Sequence, residues 1–418
     1  MRYHDHHLHP FGYAALVNGL ELMDTPDLAT LLDRVAEHSR RVEGAVIGQR
    51  LNDEGLAERR LPIATDIDDV VRDRPVLLYR YCGHIAVANS AALALAGITA
   101  DTPDPERGII DRDPSGRPTG VLRDTAVSLV TKALEPHSKP PTDLEIISAL
   151  AGLRRMGIVS ITGMISVTDA VWCAVDDEVA TLVRLAPDLP VDIDVMLITR
   201  DPEQFLAAKE RIDRADGPIR FAGWKDFADG SLGGHTAAMY EPYADRSDTT
   251  GKVLHDHDRA MEMGKLSIES GGSVAIHAIG DRANDLVLDT MAALIAEGAP
   301  PERLRVEHAS VLTRPAIERM AALGVTASVQ PAFLASEAGW LEKRLGPDRM
   351  ERVYPFRALA EAGVRLLGGS DSPVELPDPR IGINAAVDRH GINPAEALTR
   401  DQAEAMFSDQ GYPVGTNA

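Results

Sequence analysis

The sequence predicts an α/β protein: a (β/α)8 barrel of the TIM type, with a mixed α/β insertion between its first and second strands. Three observations predict it. From about residue 145 onward, short runs rich in Val and Ile alternate with segments of helical spacing, the pattern of a parallel sheet. There are seven such runs, and the opening MRYHDHHL makes an eighth. The residues able to do chemistry fall at or near the C-terminal ends of these runs, where a barrel places its active site.

The first element is the stretch MRYHDHHLHPFG, which holds four histidines and an aspartate in its first nine residues. Alternate residues of an extended strand face the same side, about 7 Å apart along the backbone. His7 and His9 therefore share a face and can share a metal, while His4 and His6 fall on the other side as incidental polar groups. Residues 40–140 do not fit a single βα unit. They contain RPVLLYRYCGHIAVANSAALALAGI and then the Pro/Gly/Asp-rich TADTPDPERGIIDRDPSGRPTG. They read as an insertion covering the barrel mouth, inside one domain of residues 1–418.

The remaining strands are GIVSITGM (157–164), VDIDVMLIT (191–199), IRFAGWKDF (219–227), SVAIHAI (273–279), LRVEHAS (304–310), VTASVQPAF (325–333) and VRLLGGSD (364–371). Between them lie segments such as DRANDLVLDTMAALIAEGA and RPAIERMAALG. These carry apolar residues at helical spacing and glycine near the exit.

Composition narrows the function. Hydrophobic residues make up 44% and charged residues 26% of the 418, ordinary for a soluble enzyme. A formal net charge of −21 argues against nucleic acid, whose phosphates such a surface repels. Cys82 and Cys173 form no CxxC motif and no disulfide framework, so nothing points to an oxidising compartment. No stretch reaches 18 apolar residues and the start lacks an apolar signal core. The expectation is a soluble cytoplasmic protein with a small-molecule substrate and neither nucleic acid nor membrane as partner. Homo-oligomerisation is left open.

His7 and His9 follow the first strand and Lys225 lies in the fourth. His277 ends the fifth, His308 the sixth, and Asp371 the eighth. Any one of these alone reads as a core histidine or a helix cap. Six on one rim are hard to explain by packing, because apolar strands gain nothing by ending in charge. Several imidazoles with a carboxylate suit zinc, or a similar divalent ion such as Mn or Fe. Such an ion brings the pKa of a water towards 7, and an aspartate beside it can take and return a proton. A buried lysine is a poor ligand when charged, so Lys225 needs a depressed pKa or chemical modification.

The ordered motifs DHHLHP, WKDFADGSLGGHTAA, HAIGDRA, VEHAS, SVQPAF and GSDSPV, with GHIAVANSAALALAGI and GRPTGVLRDTA from the insertion, resemble the amidohydrolase superfamily. More narrowly they resemble its amidohydrolase-3 branch, which includes N-substituted formamide deformylases. The resemblance covers nearly the whole chain. It implies that His7 and His9 bind a more buried metal with Asp371 close by, and that His277 and His308 bind a second, more exposed one. It also implies that Lys225 is carboxylated and bridges the two, and that Asp371 is the general base and proton donor to the leaving nitrogen. One or two divalent ions, zinc first, are the implied cofactor.

By the same resemblance His84 reaches into the pocket, though a structural histidine fits that position equally. Asp229 either shapes the loop after the fourth strand, the favoured reading, or touches substrate, and Asp281 and Arg282 pin the loop after the fifth. Phe333, Trp340 and Trp224 are candidate apolar walls, although each such residue is more often core, with Phe333 first because its segment faces the mouth. Members of the branch usually carry a β-sandwich segment ahead of the HxH strand and a strand-forming tail. This sequence starts at the HxH itself, so both halves are expected to be absent and the first strand to hold its ligands less firmly. Where the branch usually has an Arg after the fourth strand, His235 stands here. The function implied is hydrolysis of an amide-type C–N bond in an N-acyl or N-formyl amine. Ester, carbamate or other carbonyl hydrolysis on the same site remains open, as does a catalytically silent binding or regulatory homologue.

Overall fold

The computed structural model describes residues 2–81, 83–167 and 177–412; Cys82 and Cys173 lie outside the described residues. The chain divides into two compact units. The larger comprises residues 2–10, 150–167 and 177–412, and the smaller is Phe11–Ala149.

The larger unit is the predicted barrel. Its strands are β1 (Tyr3–Leu8), β2 (Ile158–Ser166), β3 (Asp192–Ile198), β4 (Ile219–Phe227), β5 (Ser273–Ala278), β6 (Leu304–His308), β7 (Thr326–Val329) and β8 (Leu366–Gly368). They form one sheet in this order, every neighbouring pair parallel. The backbone beyond β8 nearly closes the ring onto β1. Asp371 N–H donates to His7 O at 2.7 Å, and His9 N–H to Ser372 O at 2.8 Å. Asp5 Oδ1 ties the same seam by accepting from the backbone N–H of both His7 and Ser370. β1 is six residues long and almost wholly buried, longer than β7 or β8.

The strands are short apolar runs because both faces are covered. Helices such as Glu178–Leu185, Pro202–Asp213, His257–Glu269, Asp281–Ala296 and Arg314–Leu323 pack outside. Asp177, Asp201, Asp256 and Thr313 cap four of these, each accepting from a backbone N–H of the first turn. Gly324 ends the last at φ 71°, a left-handed conformation that suits glycine. The seventh strand stops four residues short of its apolar run. Gln330 O accepts from Phe333 N–H in a turn, and Pro331 has no N–H to give a ladder.

β4 carries a bulge between Phe221 and Gly223, just before Lys225. Gly223 sits at φ 151°, and a Cβ there would lie 2.1 Å from Ser273 O. The next residue, Trp224, is fully buried with its indole donating to Thr199 O, so it is a core residue rather than a pocket wall.

The smaller unit is a six-stranded mixed sheet. Its strand order is Leu20–Glu21, Val46–Leu51, Val76–Arg80, Ile85–Ala88, Pro118–Asp124, Gly108–Arg112. Side chains alternate cleanly across it. Val76, Leu78, Ile85 and Val87 join one apolar cluster, while Leu77, Tyr79, Ala86 and Ala88 join another on the opposite face. Among the described residues no helix is long and apolar enough to cross a membrane.

Candidate metal centre

Strand alternation sorts the opening histidines. His4 and His6 stack at 4.1 Å on one side of β1. His4 bonds to Ser160 Oγ and Thr162 Oγ1, and His6 to Ser408 O. Both are buried packing groups, which makes them more than incidental to the fold.

His7 and His9 lie on the other side with Asp371. One oxygen of Asp371, Oδ1, stands 3.3 Å from Nε2 of each imidazole. The three ligand-type atoms all lie within 4.8 Å of one another, and all three residues are buried. His7 Nε2 is nonetheless without a hydrogen bond. Four ligands at zinc distances sit about 3.4 Å apart along the edges of a tetrahedron, so the spacing and the N, N, O donor set fit a divalent cation.

His308 joins this cluster, its ring 5.0 Å from that of His7 and 4.5 Å from that of His277. Each of these imidazoles has one nitrogen occupied. His7 Nδ1 meets Glu307 Oε2 at 2.5 Å, His308 Nδ1 meets Gln330 Oε1 at 2.6 Å, and His277 Nε2 meets Gly230 O at 2.9 Å. Lys225 is fully buried, with Nζ 3.7 Å from the Phe227 ring centroid and without a hydrogen bond. Phe333 stacks parallel to His308 at 6.0 Å.

The electrostatics follow from burial and carboxylates. Burial opposes charge on His7, but Asp371 and Glu307 outweigh it and raise its pKa. Burial likewise opposes ionisation of Asp371 and Glu307, and the surrounding cations hold both carboxyls below their ordinary range. For Glu307 those cations are Arg305, His7 and Lys225. Burial, helped by His277, carries His308 well below the usual histidine value. It also pushes Lys225 down to about 8 and Asp5 up to about 6. His308, Ala309 and Asp371 hold positive φ of 73°, 46° and 55°. Such backbone costs about 1–3 kcal/mol per residue and clusters at functional sites.

The structure thus gathers His7, His9, His308, His277, Lys225, Asp371 and Phe333 at one end of the barrel. His84 belongs to the smaller unit, where its Nδ1 meets Asp124 Oδ1 at 2.9 Å. Asp229 has the structural part expected of it. Oδ1 accepts from Ile279 N–H, and Oδ2 from Ala238 and Gly280 N–H. Asp281 accepts from Tyr240 N–H, pinning the loop after β4 to the helix after β5. Trp340 is buried beneath the Arg344 guanidinium. His235 bonds Asp245, which also pairs with Arg344; burial brings this histidine down to about 4.

Sequence reasoning passed over Glu307, Gln330 and Asp5. An available signal was Glu307 itself, an acid in the apolar run Leu304–His308, since a carboxylate fully inside a barrel must have a partner.

The sequence matches the family model of the amidohydrolase family over residues 4–411. It is 33% identical over 408 residues to a Bacillus subtilis protein named "Putative amidohydrolase YtcJ", covering 96% of this chain and 75% of that protein. It is 29% identical over 407 residues to an N-substituted formamide deformylase of Arthrobacter pascens, covering 92% and 73%. Among solved structures, an uncharacterized metal-dependent hydrolase from Pyrococcus horikoshii aligns with TM-score 0.72 and 27% identity over 97% of this chain and 79% of that one. A second, from Pyrococcus furiosus, aligns with TM-score 0.70 and 29% identity over 100% and 85%.

Proposed function

The chain belongs to the amidohydrolase family, and from that premise we propose that it is a metal-dependent hydrolase cleaving an amide-type C–N bond in N-acyl or N-formyl amines. One observation carries the reading: His7 Nε2, His9 Nε2 and Asp371 Oδ1 converge in a buried site where an imidazole nitrogen has no other partner. The relative named as a formamide deformylase supports the substrate class.

His7, His9 and Asp371 would hold the cation, zinc by the chemistry of the donors. When bound it supplies Lewis acidity to a water molecule and to the carbonyl under attack. His277 and His308 would hold a second ion, His308 through Nε2 because Gln330 takes its Nδ1. Lys225 is proposed to be carboxylated. Burial favours its neutral amine, which can add to carbon dioxide, forming an N–C bond and losing a proton.

Asp371 acts as the base. Its Oδ1 faces the two imidazoles, which leaves Oδ2 to take a proton from the attacking water. As the C–O bond forms and the C–N bond breaks, Asp371 returns that proton to the departing nitrogen, which leaves as a neutral amine. Phe333, stacked on His308, offers an apolar wall to the substrate.

The test is metal analysis of the purified protein, followed by turnover assays on N-formyl and N-acyl amines beside esters of the same acids. Bound metal with turnover of the amides supports the reading. A chain that takes up no metal, or a loaded chain inert on every amide, overturns it.

A further inference from the structure

β6 reads Leu-Arg-Val-Glu-His, and every one of its residues is buried. Leu304 and Val306 suit that environment; Glu307, with no exposed surface, does not. A buried carboxylate is costly unless its oxygens are paired, and an apolar side chain of similar volume would pack at less cost. One oxygen of Glu307 is hydrogen-bonded, and the other is in ion-pair contact with a guanidinium. Oε2 meets His7 Nδ1 at 2.5 Å, and Oε1 stands 2.5 Å from Arg305 Nε.

A carboxylate can only accept, so the imidazole proton beside it belongs on Nδ1. The lone pair of His7 then lies on Nε2, facing Asp371 Oδ1 at 3.3 Å, where no hydrogen bond forms. In that tautomer a ring lone pair faces a carboxylate oxygen 3.3 Å away, a donor pair suited to a cation.

We propose that Glu307 is a positioning residue: it fixes the ring and proton of His7 so that Nε2 is the atom presented to the metal, with Arg305 holding its other oxygen. Gln330 does the same for His308 with a neutral amide. This rests on the reading of the site as a metal centre, and the experiment separates the two.

Zinc affinity of the full chain is measured by competition with a chelator, and the His7 ring is followed by NMR on protein carrying 15N-histidine. Wild type is expected to show an exchange-protected proton on His7 Nδ1, with and without zinc. Glu307→Leu is expected to lose that proton's protection and to bind zinc about 10–100-fold more weakly. Glu307→Gln keeps the shape and guards against a leucine variant that does not fold. Its amide can donate as well as accept, so a mixed His7 tautomer and a loss of about tenfold are expected.

The proposal is overturned if zinc-loaded wild type carries the His7 proton on Nε2. It is equally overturned if the glutamine variant matches wild type in both tautomer and affinity. A wild-type chain that binds no zinc overturns the metal reading, while a protected Nδ1 proton in that chain still supports the hold of Glu307 on His7.

Discussion

Glu178 opens the helix after β2 and is 6% exposed. One oxygen accepts from Ser166 N–H at 2.7 Å, which favours the charged form, but burial prevails and pushes its pKa from the ordinary 4.5 up to about 8. The native state therefore binds this proton more tightly than the unfolded chain does. Its contribution to stability is complete below pH 4.5 and is lost as pH rises towards 8. At about 1.4 kcal/mol per pH unit, the loss between pH 5 and pH 8 is about 4 kcal/mol. Glu178→Gln retains an acceptor for Ser166 N–H and removes the titration.

Urea unfolding of both proteins from pH 5 to pH 8 isolates the effect, because every other titrating group is common to the two. The variant is expected to be close to wild type at pH 5 and to gain on it steadily, by a few kcal/mol at pH 8. Parallel stability curves across that range would refute the assignment of a neutral, buried Glu178.

Asp371→Asn keeps an oxygen for a cation but no base, so kcat/KM on a responsive amide is expected to fall about 10²–10⁴-fold with metal still bound; retained turnover sinks its role. Gly369→Ala would set a Cβ 2.7 Å from His7 N and 2.8 Å from His7 Cβ. Zinc affinity by chelator competition is expected to drop about tenfold or more, and an unchanged value would show that this close approach does not fix His7. Asp229→Ala strips the acceptor from the buried N–H groups of Ala238, Ile279 and Gly280. At about 1–3 kcal/mol for each orphaned group, a cost of at least about 3 kcal/mol is expected in urea melts, and a cost below about 1 kcal/mol counts against it.

The barrel was legible because strands covered on both faces must be short apolar runs, and β2 to β6 follow those runs within about two residues. The proposed ligands stood out in the sequence for a related reason. Polar groups such as His277 and Asp371 stand out where apolar strands end, and the period of two separates His7 and His9 from His4 and His6. Packing was less legible. Trp224 and Lys225 are neighbours in β4, and sequence alone could not say which one faces the barrel interior, because a bulge at Gly223 sits just before them. The indole turned out to be the core group.

What stayed hidden shares one physical cause. Glu307 acts on His7 across 300 residues of chain, and Asp5 clasps Ser370 across 365. Spacing rules reach one turn of helix or a few residues of strand, so they single out candidate ligands one at a time and not the distant groups that contact them. A buried acid in an apolar strand breaks local consistency, and such breaks concentrate where function requires them. The identity of the partner is decided by closure of the ring between β1 and β8, which brings His7 between Glu307 and Asp371. The opening histidines were therefore readable as a pair. Which nitrogen each presents follows only from the assembled barrel.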